Sequence, residues 1–361
     1  MIKFKNENSF LENLGFANLE RMHTEFLAWL ISDKCNAVTK ENKLHFLSNI
    51  TEIKDITEIK SIQTEIDQID LLVETDKGLI VLENKIKSSQ HSNQLEKYRK
   101  HVSKFYPNSE YFFIFLTLAP EVPHDSHWKH ISYSSIYPYL EILSKEEHKD
   151  KVFIEDYILN LSKILASLNN VIKYPEKYDS VFENGKLKKS DKTSLVFTNN
   201  IETFICENQL ETIFQKAYLS NILNSYEFSM LQGFMTETRG TALLDFPITE
   251  NISINDRKEK YRTFIQLQGS NIKFALSVQK DYSKSHKNWI SPILETFKKL
   301  KENTSNNYTS YNPPISKAYV SVSKKTIKPY WKMPKKELSE LIKKEIAFGK
   351  GLSKILIENL K

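Results

Sequence analysis

The stretch Ile69-Asp70-Leu71-Leu72-Val73-Glu74, continued as Gly78-Leu79-Ile80-Val81-Leu82-Glu83-Asn84-Lys85-Ile86-Lys87, decides how the rest of the chain is read. Its two apolar runs of strand length flank Thr75-Asp76-Lys77-Gly78, a turn signal, and predict an antiparallel hairpin. In the second run Leu79 and Val81 alternate with Ile80 and Leu82, so both faces are apolar and the strand belongs in the middle of a sheet. It ends in Glu83 and Lys85, two residues apart and therefore on one face. Asp70 opens the neighbouring strand, within reach across the ladder. Two acids and a lysine converging at the end of a buried hairpin are costly unless a cation offsets them. Two carboxylates beside a peptide carbonyl make a hard-oxygen site for magnesium or manganese.

Asp70 followed by Glu83-Asn84-Lys85 after a hairpin resembles the D…ExK signature of the PD-(D/E)xK nuclease superfamily. Gln94-Leu95-Glu96-Lys97-Tyr98 is similar to the QxxxY helix motif of its RecB-like and lambda-exonuclease-like branches. Glu25 falls in a predicted helix upstream, where such nucleases often supply one more acid. The proline that usually precedes the aspartate is replaced by Ile69. The resemblance covers roughly the first half of the chain. It implies an α/β, restriction-endonuclease-like mixed sheet flanked by helices, and magnesium-dependent (or manganese-dependent) hydrolysis of DNA. Asp70, Glu83 and the Asn84 backbone carbonyl would hold the metal, with Glu25 directly or through water. Lys85 would act on the attacking water or the developing charge, and Gln94 and Tyr98 would position the site. Glu65 or Asp67 could support it; the pattern does not separate them.

Composition bounds this reading. With 361 residues the chain can bury a large core and form about two domains. Hydrophobic residues at 40% and charged residues at 27% describe a soluble protein rather than a disordered or membrane one. The longest apolar run, Tyr111 to Ala119, suits a buried strand and falls short of a membrane span of about 20 residues. The start, Met1-Ile2-Lys3-Phe4-Lys5, lacks the apolar core of a signal peptide. Cys35 and Cys206 show no metal-ligand spacing and fit a reducing cytosol. A net charge of +6, nearly all lysine, mildly favours a polyanion, gripped by its backbone rather than by base edges. The lysine-, asparagine- and isoleucine-rich composition fits an AT-rich bacterial genome, and stand-alone bacterial relatives imply a role in defence against phage. The chain could act as a homodimer or with a partner protein.

Helices are predicted after the Asn8-Ser9 cap, over 18–32, 40–50, 93–105 and 154–168, and strands over 61–66, 111–118 and 128–133. Ser134 or Ser135 is the expected cap of the helix after the last of these strands. In the helix over 18–32, Met22, Phe26, Trp29 and Leu30 form the expected apolar stripe, with Glu25 at its edge. These elements define a nuclease domain over 1–170. A polar stretch over 171–192 reads as a linker, and 193–361 as a second, α+β domain for substrate or partner binding. There, helices are expected over 201–223, 288–300 and 334–361, and strands over 243–248, 263–268, 272–278 and 318–323.

Two further clusters carry alternatives. Lys324, Lys325 and Lys328 beside Tyr330 and Trp331 suit nucleic-acid binding, by phosphate contact and base stacking. The same pattern also suits a solvated edge whose lysines block aggregation. His124, His127 and His130 invite zinc, but their spacing straddles a loop and a strand and no cysteine joins them. From the sequence, the rival readings are an inactive nucleic-acid-binding or regulatory protein on the same fold, and an RNA nuclease.

Overall fold

The computed structural model describes residues 2–87, 93–145, 147–183, 197, 199–238, 240–253, 260–278, 309–310 and 319–360. It divides into two compact units, Met1–Tyr174 with Leu187–Ala217, and Pro175–Lys186 with Tyr218–Lys361.

The first unit begins with three helices, α1 (Phe10–Asn13), α2 (Glu20–Ile31) and α3 (Lys40–Thr51). Ser9 caps α1 by accepting from the Glu12 N–H at 3.0 Å. The strands β1 (Ile59–Ile66), β2 (Ile69–Thr75) and β3 (Gly78–Lys85) follow, then α4 (Gln94–Phe105), β4 (Tyr111–Thr117) and β5 (Trp128–Ser132). The sheet order is β1-β2-β3-β4-β5. The first three strands pair antiparallel, whereas β3–β4 and β4–β5 are parallel. A parallel neighbour needs a crossover, and α4 supplies it between β3 and β4. The predicted hairpin is present, with Leu71 opposite Leu82 and Thr75 opposite Gly78.

Because β3 is the central strand, nearly every residue along it is buried. On one face Val81, Phe113, Phe115 and Trp128 pack against Leu95, Tyr98 and Val102 of α4. These three helix residues recur at i, i+3 and i+7, the spacing of a single stripe. The opposite face carries α2 and the later helices α5 (Tyr133–Leu143) and α6 (Lys151–Lys173). Ser132, rather than Ser134 or Ser135, caps α5 by accepting from the Ser135 N–H at 3.1 Å. The strand ends one residue earlier than its apolar pattern suggests, because Tyr133 already turns into the helix.

The stretch expected as a linker carries structure. After α6 come a 3-10 turn, Pro175–Lys177, and α7 (Asp179–Glu183), in which Val181 and Phe182 are buried. This apolar pair, easily lost in a polar context, anchors α7 to the second unit. The helix expected over 201–223 is two, α8 (Asn200–Glu207) and α9 (Glu211–Leu223), separated where Gln209 takes a left-handed φ of 52°. α8 belongs to the first unit, not to a domain starting at 193.

The second unit contains β6 (Phe234–Thr238), β7 (Thr241–Ser253), β8 (Lys260–Gln268), β9 (Asn271–Val278), β10 (Thr309–Ser310), β11 (Tyr319–Thr326) and α10 (Lys335–Leu360). Its sheet runs β10-β11-β9-β8-β7-β6, all antiparallel among the described residues. The turn at Gly269-Ser270 joins β8 and β9 as a hairpin, as expected. The helix expected over 288–300 lies outside the described residues. Among the described residues no helix is long and apolar enough to cross a membrane.

One glycine fixes where the β2–β3 hairpin meets β4. Gly78 has φ +139°, and a Cβ there would stand 2.5 Å from the Glu110 carbonyl oxygen. That carbonyl accepts the Leu79 N–H at 2.8 Å, so neither backbone can retreat without losing the bond. Gly78→Ala is expected to cost about 2–4 kcal/mol, from strain plus the displaced contact. A shift of the urea midpoint at unchanged slope would measure it.

Candidate active site

The hairpin places Asp70 next to the end of β3, where its Oδ2 accepts the Asn84 N–H at 2.7 Å. Glu83 is 1% exposed. Its Oε1 takes the Lys85 ammonium at 2.5 Å and the Gln94 side-chain amide at 2.8 Å. Gln94 also donates to the Tyr98 hydroxyl at 2.8 Å, so one amide nitrogen serves both. The residues Asp70, Glu83, Lys85, Gln94 and Tyr98 therefore converge at one point, from a hairpin and the first turn of α4. Alternation explains the grouping. Glu83 and Lys85 face α4, while Asn84 between them faces α2 and α5.

Glu83 Oε2 is buried and has no hydrogen-bond partner. A carboxylate oxygen without a donor is a serious cost in a protein interior, and a cation is the usual remedy. Burial, then the neighbouring Asp70 charge, pushes the Glu83 carboxyl up to about 8, against the pull of Lys85. Burial likewise pushes Asp70 up to about 6, opposed by the Asn84 N–H and Lys85. Burial works against the Lys85 ammonium, but the Glu83 charge and hydrogen bond outweigh it and raise the group. Asp70, Glu83 and the Asn84 carbonyl thus fit a hard divalent cation. Among the described residues no three acid, histidine or cysteine side chains are arranged to hold a metal. Two carboxylates suffice for magnesium, which keeps several of its waters.

The acid from α2 is Glu20. Its Oε1 accepts the N–H groups of Ile86 and Lys87 at 3.0 and 2.9 Å, just beyond the end of β3. Its charge acts on Asp70, Glu83 and Lys85. Glu25, expected from the sequence, lies elsewhere: its carboxylate is 46% exposed, 3.7 Å from Arg21, and accepts from the Thr64 hydroxyl at 3.0 Å. The buried face of α2 consists of His23, Thr24, Leu27, Ala28, Leu30 and Ile31, while Met22, Phe26 and Trp29 are half-buried. The stripe is rotated from the expected one, and Glu20 continues the true face one turn before Thr24. The burial of polar His23 and Thr24 hid it.

Of the two acids left open, Glu65 is the one whose charge reaches Asp70. Asp67 instead pairs with His101 at 2.9 Å. The three histidines do not meet as a ligand set: His127 pairs with Asp125 at 2.7 Å and His130 bonds the Thr117 hydroxyl at 2.8 Å.

Tyr330 and Trp331, expected to stack on bases, are only 2% and 3% exposed. Trp331 stacks on Phe182 at 5.1 Å and donates its indole N–H to Asp179 at 2.7 Å, so neither ring offers a face to a base. Lys325 is tied to Glu345 of α10 at 2.7 Å. Lys324 is half-buried and Lys328 exposed.

The chain thus carries a five-stranded mixed sheet with two acids and a lysine at the end of its central strand. Residues 9–160 match the family model of the PD-(D/E)XK nuclease superfamily. This part of the chain belongs to that superfamily, and its sheet is restriction-endonuclease-like. No curated protein matches the chain, and no solved structure does.

The two raised carboxyls make stability depend on pH. Their ordinary values are 3.8 for Asp70 and 4.5 for Glu83. The folded state therefore holds protons that the unfolded chain has released. The stability they contribute is complete below about 4 and is lost as pH rises through about 6 and about 8. In EDTA, melting temperature attributable to this site should fall between pH 5 and 9. Magnesium should restore more of it at pH 8.5 than at pH 5.5, because metal binding competes with these protons. A scanning-calorimetry series at these pH values, repeated on Glu83→Gln, isolates the contribution.

Proposed function

We propose that the chain is a magnesium-dependent deoxyribonuclease of the RecB-like branch, acting in the bacterial cytoplasm against phage or other foreign DNA. The observation that carries this reading is the buried Glu83 carboxylate, with one oxygen held by Lys85 and Gln94 and the other unpartnered beside Asp70. The Gln94–Tyr98 pair supports the branch, since both side chains reach the site from one face of α4. Stand-alone bacterial relatives with this signature support the defence role.

Hydrolysis of a phosphodiester needs an activated water, neutralised phosphate charge and a stabilised leaving oxygen. A divalent cation held by Asp70, Glu83 and the Asn84 carbonyl would supply Lewis acidity for all three. Asp70 is kept in place by the Asn84 N–H on Oδ2, which would leave Oδ1 for such a cation. Lys85 lies close enough to Glu83 to hold a water between its ammonium and the phosphate, or to offset charge as it develops. Gln94 fixes the Glu83 oxygen that faces the lysine, which leaves the second oxygen for the metal. Glu20 closes the acidic end of the site and is fastened by two backbone N–H groups.

The decisive assay gives the purified protein linear, circular and single-stranded DNA, and RNA, each with magnesium, manganese or EDTA. Cleavage of DNA that requires the metal is expected, with Asp70→Asn, Glu83→Gln and Lys85→Ala each losing at least about 100-fold while remaining folded. Full activity of Glu83→Gln at saturating magnesium would remove this site from the reaction. Preference for RNA would replace the substrate while leaving the chemistry intact.

The α2 acid separates by the same assay. Glu20→Gln is expected to lower cleavage about tenfold or more, because it weakens both the strand-end anchor and the site's negative charge. Glu25→Gln should stay within about twofold of the parent, as an exposed ion pair contributes little. The opposite ranking would restore Glu25 as the contributing acid.

A further inference from the structure

Behind the site, on the face of the sheet away from α4, a chain of buried polar groups runs from α2 to Asn84. His23 Nε2 lies 3.0 Å from the Ala17 carbonyl oxygen, and His23 Nδ1 2.9 Å from the Tyr157 hydroxyl. The His23 ring meets Tyr157 and Tyr133 edge-on, each at 5.5 Å between ring centroids. Tyr133 in turn reaches Asn84 Oδ1 at 2.8 Å. The Asn84 amide nitrogen donates to the Glu20 carbonyl at 3.0 Å and to the Thr24 hydroxyl at 3.1 Å. His23, Asn84, Tyr133 and Tyr157 are all fully buried.

Counting hydrogens fixes the directions. The Glu20 carbonyl can only accept, and Thr24 spends its own hydrogen on that carbonyl, so the Asn84 nitrogen donates to both. Asn84 Oδ1 must then accept, and Tyr133 is its donor. Burial pushes His23 down to about 4, so at neutral pH it carries one hydrogen, which the Ala17 carbonyl requires on Nε2. Three contacts remain and three hydrogens fill them, one each from His23, Tyr157 and Tyr133. The Tyr157 hydrogen serves His23 Nδ1, and the Tyr133 hydrogen serves Asn84 Oδ1.

We propose that Tyr133, through Asn84, is a positioning residue for the metal site, an inference that rests on reading the end of β3 as that site. The Asn84 side chain bolts the first turn of α2, which carries Glu20, to the same residue whose N–H holds Asp70 and whose carbonyl would help hold the cation. Without the Tyr133 bond, Asn84 Oδ1 is a buried acceptor with no donor, and the side chain must turn to find one. That rotation releases the Glu20 carbonyl and disturbs both acids at once. Tyr133→Phe removes the bond to Asn84 and leaves His23 with its Tyr157 donor. Tyr157→Phe does the reverse. It leaves His23 Nδ1 without a donor, while the Tyr133 bond to Asn84 stays.

The test titrates Mn2+ into the full chain without nucleic acid, by calorimetry, alongside thermal melting. Tyr133→Phe should bind Mn2+ roughly tenfold more weakly and, with Asn84 Oδ1 left without its donor, melt lower than the parent. Tyr157→Phe should melt lower yet keep its Mn2+ affinity within about twofold. A purely structural row would make affinity follow stability in both variants, and that result overturns the proposal, as does unchanged affinity in Tyr133→Phe. Should Tyr133→Phe not fold, Asn84→Ala decides by the same titration: weakened binding supports the proposal and parental binding overturns it. A parent chain that binds no Mn2+ removes the metal site itself and the proposal with it, which separates the two failures.

Discussion

The structure of the first unit depends on one unfavourable fact, the burial of Glu83. A carboxylate that is 1% exposed beside a second carboxylate has to be compensated from several directions. Lys85 and Gln94 compensate one oxygen, and the other is buried without a hydrogen-bond partner. The charged and polar groups around Glu83 come from several elements, so those elements are constrained to meet at the end of β3. The hairpin supplies Asp70, the crossover helix supplies Gln94 and Tyr98, and α2 supplies Glu20. A sheet placed for burial alone would end β3 in apolar residues, as its first five positions do.

Much of this was legible in the sequence, for a definite reason. The hairpin, the central strand and the crossover helix are set by local signals: a turn at Gly78, two-faced apolarity over Leu79 to Leu82, and a stripe at Leu95, Tyr98 and Val102. Alternation then places Glu83 and Lys85 together without any tertiary knowledge. Glu20 was not legible, because the face of α2 is set by polar residues. His23 and Thr24 are buried for hydrogen bonds, so an apolar stripe drawn through Met22, Phe26 and Trp29 is rotated and singles out Glu25. Phe26 is half-buried, with one face stacked on Tyr157 at 3.6 Å between ring centroids.

The second unit shows the converse. Its strands and closing helix follow from alternation and helical periodicity, but the meaning of Tyr330 and Trp331 does not. A lysine–aromatic mixture looks the same whether the rings meet bases or meet Phe182 and Tyr218. The deciding partners lie more than 100 residues away in sequence, and Phe182 sits on a stretch that reads as linker. Val181 and Phe182 of α7 are too few to stand out there, yet they give Trp331 its stacking surface, and Asp179 accepts its indole N–H.

The motif itself explains why the site needs two layers of helices. In a strand, consecutive residues point to opposite faces, so the acid and lysine of an E-x-K unit necessarily leave the middle residue on the other side. In a chain whose middle residue were small and apolar, the two helix layers would be coupled only by packing. Here it is Asn84, with a backbone that serves Asp70 and a side chain that serves Glu20, Thr24 and Tyr133. The geometry of the face that carries Glu83 and Lys85 thus becomes a function of the bonds on the opposite face. A sub-ångström shift of Asn84 moves two acids together, which packing alone would resist only weakly, since a few tenths of an ångström cost little between apolar side chains. Directional hydrogen bonds are stiffer at that scale, and they weaken steeply when bent. The positions that control the acids are therefore legible only when both faces of β3 are read at once.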